Sequence, residues 1–225
     1  EAVAQQLGIH DDAKLASNES ALGPSPRVAD ALAAAARALH TYPDTDAASL
    51  RAAIALRHGA ASTDGIVVGN GTTELIGHLA RMTPASEAVV YAWPSFVWYR
   101  MSAAAAGRRC VPVPLRADFA YDVDALVAAM RDDARAGTLF VSATNNPTGT
   151  ALGVDALARL LREVPAEALV VVDDAYAEYR VDGESVTRLC GAERPRRTVV
   201  LRTFSKAFGL AALRIGYAIG DVEVV

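Results

Sequence analysis

The sequence predicts an α/β fold, a mostly parallel sheet of seven strands with helices on both faces. Three observations carry this. Short runs rich in β-formers recur at residues 66–68, 89–91, 109–113, 139–142, 169–172, 198–202 and 215–219. Helical patterns separate several of them, at 72–81, 96–106, 123–131 and 154–164. Strands such as Leu169-Val-Val-Val172 are apolar without a break, the pattern of a strand buried on both faces rather than half-solvated.

Taken in order, residues 14–26 show no usable periodicity and end in Gly23-Pro-Ser-Pro26, which predicts an extended arm. Ser25 before Pro26 reads as an N-cap followed by proline at the first helical position. Val28, Leu32, Ala35 and Leu39 recur behind it at helical spacing. That helix breaks at His40-Thr-Tyr42-Pro43-Asp44, because the residue before a proline is pushed out of the α region. A second amphipathic helix is expected from about Asp46 to His58, closed by Gly59 as a C′ glycine. Further on, Val123, Leu126, Val127 and Met130 make one apolar stripe. Residues 1–42 are expected to form an N-terminal arm and helix, a small-domain or dimer-contact segment, and residues 43–225 one large domain. A chain that starts at Glu1 and stops at Glu223-Val-Val225, straight after an apolar run, reads as a fragment.

Composition excludes several function classes. The 225 residues are 52% hydrophobic and 21% charged, ordinary for a globular domain and against disorder. A net charge of −4 offers no basic footprint for nucleic acid or an anionic membrane. No apolar run reaches membrane-spanning length, and no signal-peptide pattern opens the chain. Cys110 and Cys190 stand far apart, with no CxxC and no His/Cys cluster. Reduced thiols in a cytoplasmic protein without a metal site are expected.

The stretch Leu201-Arg-Thr-Phe-Ser-Lys206-Ala-Phe-Gly-Leu-Ala-Ala-Leu-Arg214 holds one of only two lysines, the other 20 cationic side chains being arginine. Between Phe204 and Phe208 its amine would be partly desolvated, which lowers its pKa and frees it as a nucleophile. Thr203, Ser205 and Arg214 supply two hydroxyls and a guanidinium, the groups that hold a phosphate. An amine beside a phosphate site suggests a Schiff base to pyridoxal phosphate. The stretch equally suits a lysine that snorkels from a loop and an arginine paired with a carboxylate.

In sheets of this kind ligands bind at the carboxyl ends of the strands, and four more stretches lie there. Gly69-Asn-Gly71-Thr72-Thr73-Glu74 joins a strand to a helix, so the amides of Gly71, Thr72 and Thr73 would face an anion. Glu74 stands where a dinucleotide fingerprint needs its third glycine, which argues against a nicotinamide site. Among the aromatics of 91–99, most are core, but Phe96, just past a proline turn, is best placed to stack on a planar cofactor. Asn145-Asn146-Pro147-Thr148-Gly149 is turn chemistry, or else Asn146 donates to a ring oxygen. Asp173 ends a wholly apolar strand, where a carboxylate is costly unless paired. It is either a helix N-cap or the partner of a protonated pyridine nitrogen, with Tyr176 beside the ring's phenolate oxygen.

These motifs, with Leu15-Ala-Ser-Asn-Glu19, Tyr42-Pro-Asp44 and Leu213-Arg-Ile-Gly-Tyr217, resemble in order the class I and II aminotransferases of pyridoxal phosphate fold type I. Within them the chain is most similar to the histidinol-phosphate aminotransferase branch. The resemblance implies an aspartate aminotransferase-like large domain with pyridoxal 5′-phosphate as cofactor. It makes Lys206 the Schiff-base lysine, Asp173 the partner of the pyridinium nitrogen, and Tyr176 and Asn146 the contacts of the ring oxygen. Phe96 would stack on the ring, and Gly71, Thr72, Thr73, Thr203, Ser205 and Arg214 would bind the phosphate. Tyr42 would reach the phosphate in the other subunit of a homodimer. The implied reaction passes an amino group from histidinol phosphate to 2-oxoglutarate, as in histidine biosynthesis. An aromatic amino acid aminotransferase and a decarboxylase of a phosphorylated amino acid are the alternatives. Two departures stand out: Asn18-Glu-Ser20-Ala-Leu22 where the family usually has Asn-Glu-Asn-Pro and an aromatic, and Thr73 where an aspartate is frequent. The family's C-terminal small domain, with an arginine that grips the substrate, is expected beyond Val225.

Overall fold

A computed structural model describes residues 6–8, 16–84, 86–133, 135–181, 186–187 and 197–225. Its strands are β1 Ile66–Asn70, β2 Ala88–Trp93, β3 Arg109–Pro114, β4 Ala136–Ser142, β5 Leu169–Asp173, β6 Thr198–Thr203 and β7 Ile215–Gly220. They form one sheet in the order β1-β7-β6-β5-β4-β2-β3. Neighbours from β3 across to β6 pair in parallel, whereas β7 runs antiparallel to both β6 and β1.

The helices are α1 Pro26–Ala35, α2 Ala48–His58, α3 Gly71–Met82, α4 Trp98–Ala105, α5 Val123–Asp132 and α6 Val154–Glu163. Local chemistry sets three of their ends. The Asp44 side chain accepts from the Ala48 amide at 2.7 Å and so starts α2. Gly59, at φ 64°, closes it in the left-handed conformation that glycine tolerates. Asp122 caps α5 by accepting from the Ala125 amide at 2.9 Å.

Alternation within each apolar strand divides the core between the two faces. Val170 and Val172 pack with Leu126 and Met130 of α5 and Leu157 and Leu160 of α6. Leu169 and Val171 point the other way, to Leu75, Ile76 and Leu79 of α3 and Tyr99 of α4. Each such side chain contributes about 1.5–3 kcal/mol on full burial. A smaller cluster joins Ile54 and Ala55 of α2 to Ile66, Tyr217 and Ile219.

Two expectations need correction. The predicted stripe of α1 has no cover within the described chain. None of its residues is buried, and Leu39 just beyond it is 83% exposed. Periodicity marks a face as apolar but does not name what covers it. Ser25 precedes α1 without a side-chain cap, its carbonyl accepting from the Val28 amide instead. Cys190 and Lys14 lie outside the described residues. Among the described residues no helix is long and apolar enough to cross a membrane.

Candidate active site

The carboxyl ends of the parallel strands open into a cavity of about 590 Å³. Strand direction explains its make-up. The last residue of β5, Asp173, and the loops after β2, β4, β5 and β6, with Phe96, Asn146, Tyr176, Ser205 and Lys206, meet at this edge. Because β7 is antiparallel, its first residues lie beside Thr203 and Asn70, so Arg214, just before β7, reaches the same edge. The chain before α1 crosses the opening with Ser17, Asn18 and Glu19.

Lys206 is half-buried in this wall. Its Nζ donates to the Ser17 carbonyl at 2.7 Å and lies 5.8 Å from the centre of the Tyr176 ring. Burial holds the amine below the ordinary lysine range, against the pull of the Glu19 and Asp173 carboxylates. The source of that burial differs from the expectation. Phe204 and Phe208 pack on each other, with ring centres 5.2 Å apart, and Phe204 continues onto Tyr217 on the α2 side. Neither ring lines the cavity wall that holds the amine.

Asp173 is no helix cap, since the turn after β5 leads only into a 3₁₀ segment at Ala177–Tyr179. Its Oδ2 accepts from the Tyr99 hydroxyl at 2.9 Å and its Oδ1 from the Ala175 amide at 3.1 Å. Burial pushes the carboxyl above its usual range, and the Tyr99 and Ala175 hydrogen bonds and the Lys206 charge draw it back.

Gly71, Thr72 and Thr73 open α3, with Asn70 as its N-cap residue. The Glu74 carboxylate accepts from the Asn70 amide at 2.6 Å, the work of a helix start rather than of a dinucleotide site. Gly71 sits at φ +74°, and a Cβ there would overlap the Arg214 guanidinium. Gly216 on β7 has the same function on the far side, since its Cβ would lie 2.6 Å from the Thr72 amide. The two glycines let the helix N-terminus and Arg214 come together. Arg214 donates to the Ala211 carbonyl at 3.0 Å and to Ser205 Oγ at 3.4 Å. Thr203 lines the wall, but its Oγ accepts from the Ser205 amide at 3.0 Å, so it shapes the turn.

The two asparagines divide their work. Asn146 faces the cavity. Asn145 is buried behind it, donating to the Pro94 carbonyl at 3.0 Å and to Thr148 Oγ1 at 2.8 Å. Tyr176 accepts at its hydroxyl from the Asn18 side chain at 2.9 Å. Tyr42 is fully exposed and takes no part in the cavity wall. Sequence reasoning missed Tyr99, Trp98, Ser142, Thr144 and Ser17 as wall residues. The Tyr99 hydroxyl also lies 2.7 Å from Ser142 Oγ, and Ser142 pairs with Asp173 across β4 and β5. The aromatic run at 91–99 was the available signal, but one run cannot separate a core ring from one with a polar task.

The donor set fits a planar ring that carries a phosphate. A helix N-terminus, the hydroxyls of Thr72, Thr73 and Ser205 and a guanidinium suit a dianion. A buried carboxylate suits a ring cation, and a desolvated amine suits covalent attachment.

Comparison with known proteins agrees. The family model of aminotransferase class I and II matches residues 10–225. An aromatic amino acid aminotransferase of Nocardia farcinica is 46% identical over 221 residues, covering 94% of this chain and 60% of that protein. One from Rhodococcus jostii is 47% identical over 214 residues, covering 94% of this chain and 58% of that protein. Among solved structures, histidinol-phosphate aminotransferase from Sinorhizobium meliloti in complex with pyridoxal-5′-phosphate superposes with a TM-score of 0.88. It is 28% identical and is matched over 99% of this chain and 60% of its own. The chain therefore spans about 60% of the length of the curated relatives it matches.

Proposed function

This chain belongs to the class I and II aminotransferases, and on that premise we propose a pyridoxal phosphate-dependent transfer of an amino group from an aromatic amino acid to a 2-oxo acid. The observation that carries the reading is the single cavity wall shared by Lys206, Asp173 and Arg214. Arg214, Ser205, Thr72, Thr73 and the amides opening α3 hold the phosphate, Gly71 and Thr203 shaping the turns that present them. Phe96 would stack on the ring, and Asn146 and Tyr176, in the same wall, would hydrogen-bond its oxygen. When bound, the cofactor supplies a sink for the electron pair left on the substrate's α-carbon. Lys206 takes the α-proton and returns it, an exchange that its lowered pKa favours. Asp173 keeps the ring nitrogen protonated, and Tyr99 keeps Asp173 ionised and in place.

The aromatic donor is supported by the names of relatives at 46–47% identity. Histidinol phosphate with 2-oxoglutarate is the second reading, supported by the Sinorhizobium meliloti structure at 28% identity. Tyr42 belongs to this proposal as the residue offered to the partner subunit of a homodimer, a role that its full exposure suits. So does the division of the chain at residue 42.

The test is borohydride reduction of the purified gene product with pyridoxal phosphate, followed by peptide mapping and donor kinetics with 2-oxoglutarate. A pyridoxyl adduct on the Lys206 peptide is expected, with kcat/KM for phenylalanine or tyrosine at least about tenfold above histidinol phosphate, a gap of about 1.4 kcal/mol. The reverse order would transfer the assignment to histidinol phosphate, and CO₂ release without glutamate would point to decarboxylation. Lys206→Ala should end turnover and adduct formation while cofactor still binds noncovalently. Retained turnover in that variant would refute the assignment.

A further inference from the structure

A second set of charges lies behind the strand ends that carry Asp173 and Lys206. The chain neighbours of the cavity residues Asp173 and Thr203 are Asp174 and Arg202. They are only 1% and 5% exposed, and neither belongs to the cavity wall. Arg202 Nη1 lies 3.4 Å from Asp174 Oδ2, and Nη2 donates to Glu178 Oε1, which also faces Arg57 at 4.0 Å. The Asp174 amide donates to the Leu201 carbonyl at 2.9 Å, extending the β5–β6 pairing by one residue. The last turn of α2 closes the cluster, with His58 Nε2 2.9 Å from the Tyr217 hydroxyl and the Arg57 guanidinium 5.6 Å from the Phe208 ring centre.

Surface pairs such as Arg159 with Asp124 and Glu163 lie on exposed helix faces and do little for a fold. A buried pair is different in kind, because desolvation offsets most of its attraction and apolar residues often serve stability as well. What a guanidinium does better than an apolar side chain is hold two carboxylates in fixed directions at once. Here it holds the two ends of the turn Asp174–Glu178, one residue away from Asp173. It is itself anchored on β6, four residues before Lys206. Side chains alternate along a strand, so a tie on one face sets the backbone from which the other face projects.

We propose that Arg202 is a positioning residue for the chemistry at Lys206: through Asp174 and Glu178 it fixes the turn after β5, and so the separation of Asp173 from the lysine amine. The effect on rate rests on the pyridoxal phosphate reading above, while the effect on spacing does not. The other charged or titratable groups facing the cluster are Arg57, Arg180, His58, Tyr217 and Asp173 itself. Burial first, and then the Arg202 and Arg57 charges, lower His58 to about 4, so it stands neutral at working pH and leaves the guanidinium as the tie.

The test uses the purified gene product and three variants, Arg202→Met, Arg202→Lys and the double variant Arg202→Met/Asp174→Asn. Melting temperature, kcat and KM are measured on the cofactor-loaded protein. The Lys206 amine is titrated in cofactor-free protein by NMR of ¹³C-methylated lysines, its signal assigned with Lys206→Arg. Arg202→Met should lose at least about tenfold in kcat with KM changed less than about threefold, the pattern of a group that acts in the reaction step. The double variant should regain melting temperature, since it leaves no buried unpaired carboxylate at 174, yet keep the low kcat. In both, the Lys206 midpoint should move away from its wild-type value as the Asp173 carboxylate shifts relative to the amine. Arg202→Lys should recover part of each. Wild-type kcat and an unmoved Lys206 midpoint in the double variant would overturn the proposal. Should the Arg202→Met variants fail to fold, Glu178→Gln, which releases only the outer arm, should move both readouts in the same direction by less. Wild-type values in it would then overturn the proposal. A wild type that takes no cofactor would refute the functional reading, and the cofactor-free titration would still decide whether Arg202 sets the spacing.

Discussion

Asp173 and Tyr99 show what a single hydroxyl can do in a buried site. The carboxyl is almost wholly desolvated and drawn upward by that burial, and Tyr99 is the side-chain donor that holds it down. Hydrogen bonds to a charged group contribute about 1.5–3 kcal/mol, so Tyr99→Phe should lower kcat by about tenfold or more. It should also move the acid limb of the pH–rate profile to higher pH, because a carboxyl with a raised pKa ionises later. An unchanged acid limb would show that Asp173 does not depend on this donor. Asp173 itself was legible in the sequence, since an aspartate at the end of an apolar strand demands a partner. Tyr99 was not, because its hydroxyl finds Asp173 and Ser142 only across 74 and 43 residues of chain.

At the scale of elements, the start of α3 is the most constrained piece of the site. Gly71 adopts a left-handed φ of +74° against the Arg214 guanidinium, so it is required by conformation and by contact, and Gly216, which admits the Thr72 amide at close range, by contact alone. Gly71→Ala adds a Cβ into the Arg214 guanidinium and forces a strained backbone, at a cost on the order of 1–3 kcal/mol. The cofactor dissociation constant should rise about tenfold or more, measured by equilibrium dialysis, while the melting temperature of cofactor-free protein falls by about 2–12 °C. The glycine turn was legible from Gly69-Asn-Gly71 between strand and helix. Its pairing with Gly216 was not, because close approach between distant elements leaves no periodic mark. The start of α2 was read within two residues, with Asp44 supplying the cap, whereas α1 displayed a periodic face that the described chain does not bury.

Across the whole molecule, two groups behind the sheet couple stability to pH in opposite senses. His58 is lowered from 6.5 to about 4, by burial first and then by Arg202 and Arg57. As pH falls from about 6.5 to about 4, the unfolded chain takes up a proton that the folded chain refuses, so stability declines through that window and levels off below it. Asp174 is raised to about 7 by burial, so its own contribution declines as pH rises from about 4 to about 7. The profile of the protein alone therefore mixes the two. The difference between wild type and His58→Gln, followed by urea denaturation, should isolate the histidine, with wild type losing more stability on acidification from about pH 6.5 to 4. A difference independent of pH would mean that His58 takes up its proton as readily in the folded state as in the unfolded one. By itself the sequence determined the kind and order of the elements and the strand ends at which Asp173 and Asn146 fall, because burial and turn chemistry are written locally in apolar runs, prolines and glycines. Only the tertiary structure decided which way β7 runs. A buried strand reads as the same apolar run whether parallel or antiparallel, and its direction is set by long-range pairing with β6 and β1. That direction brings Arg214, which precedes its strand, to the edge where the other site residues follow theirs.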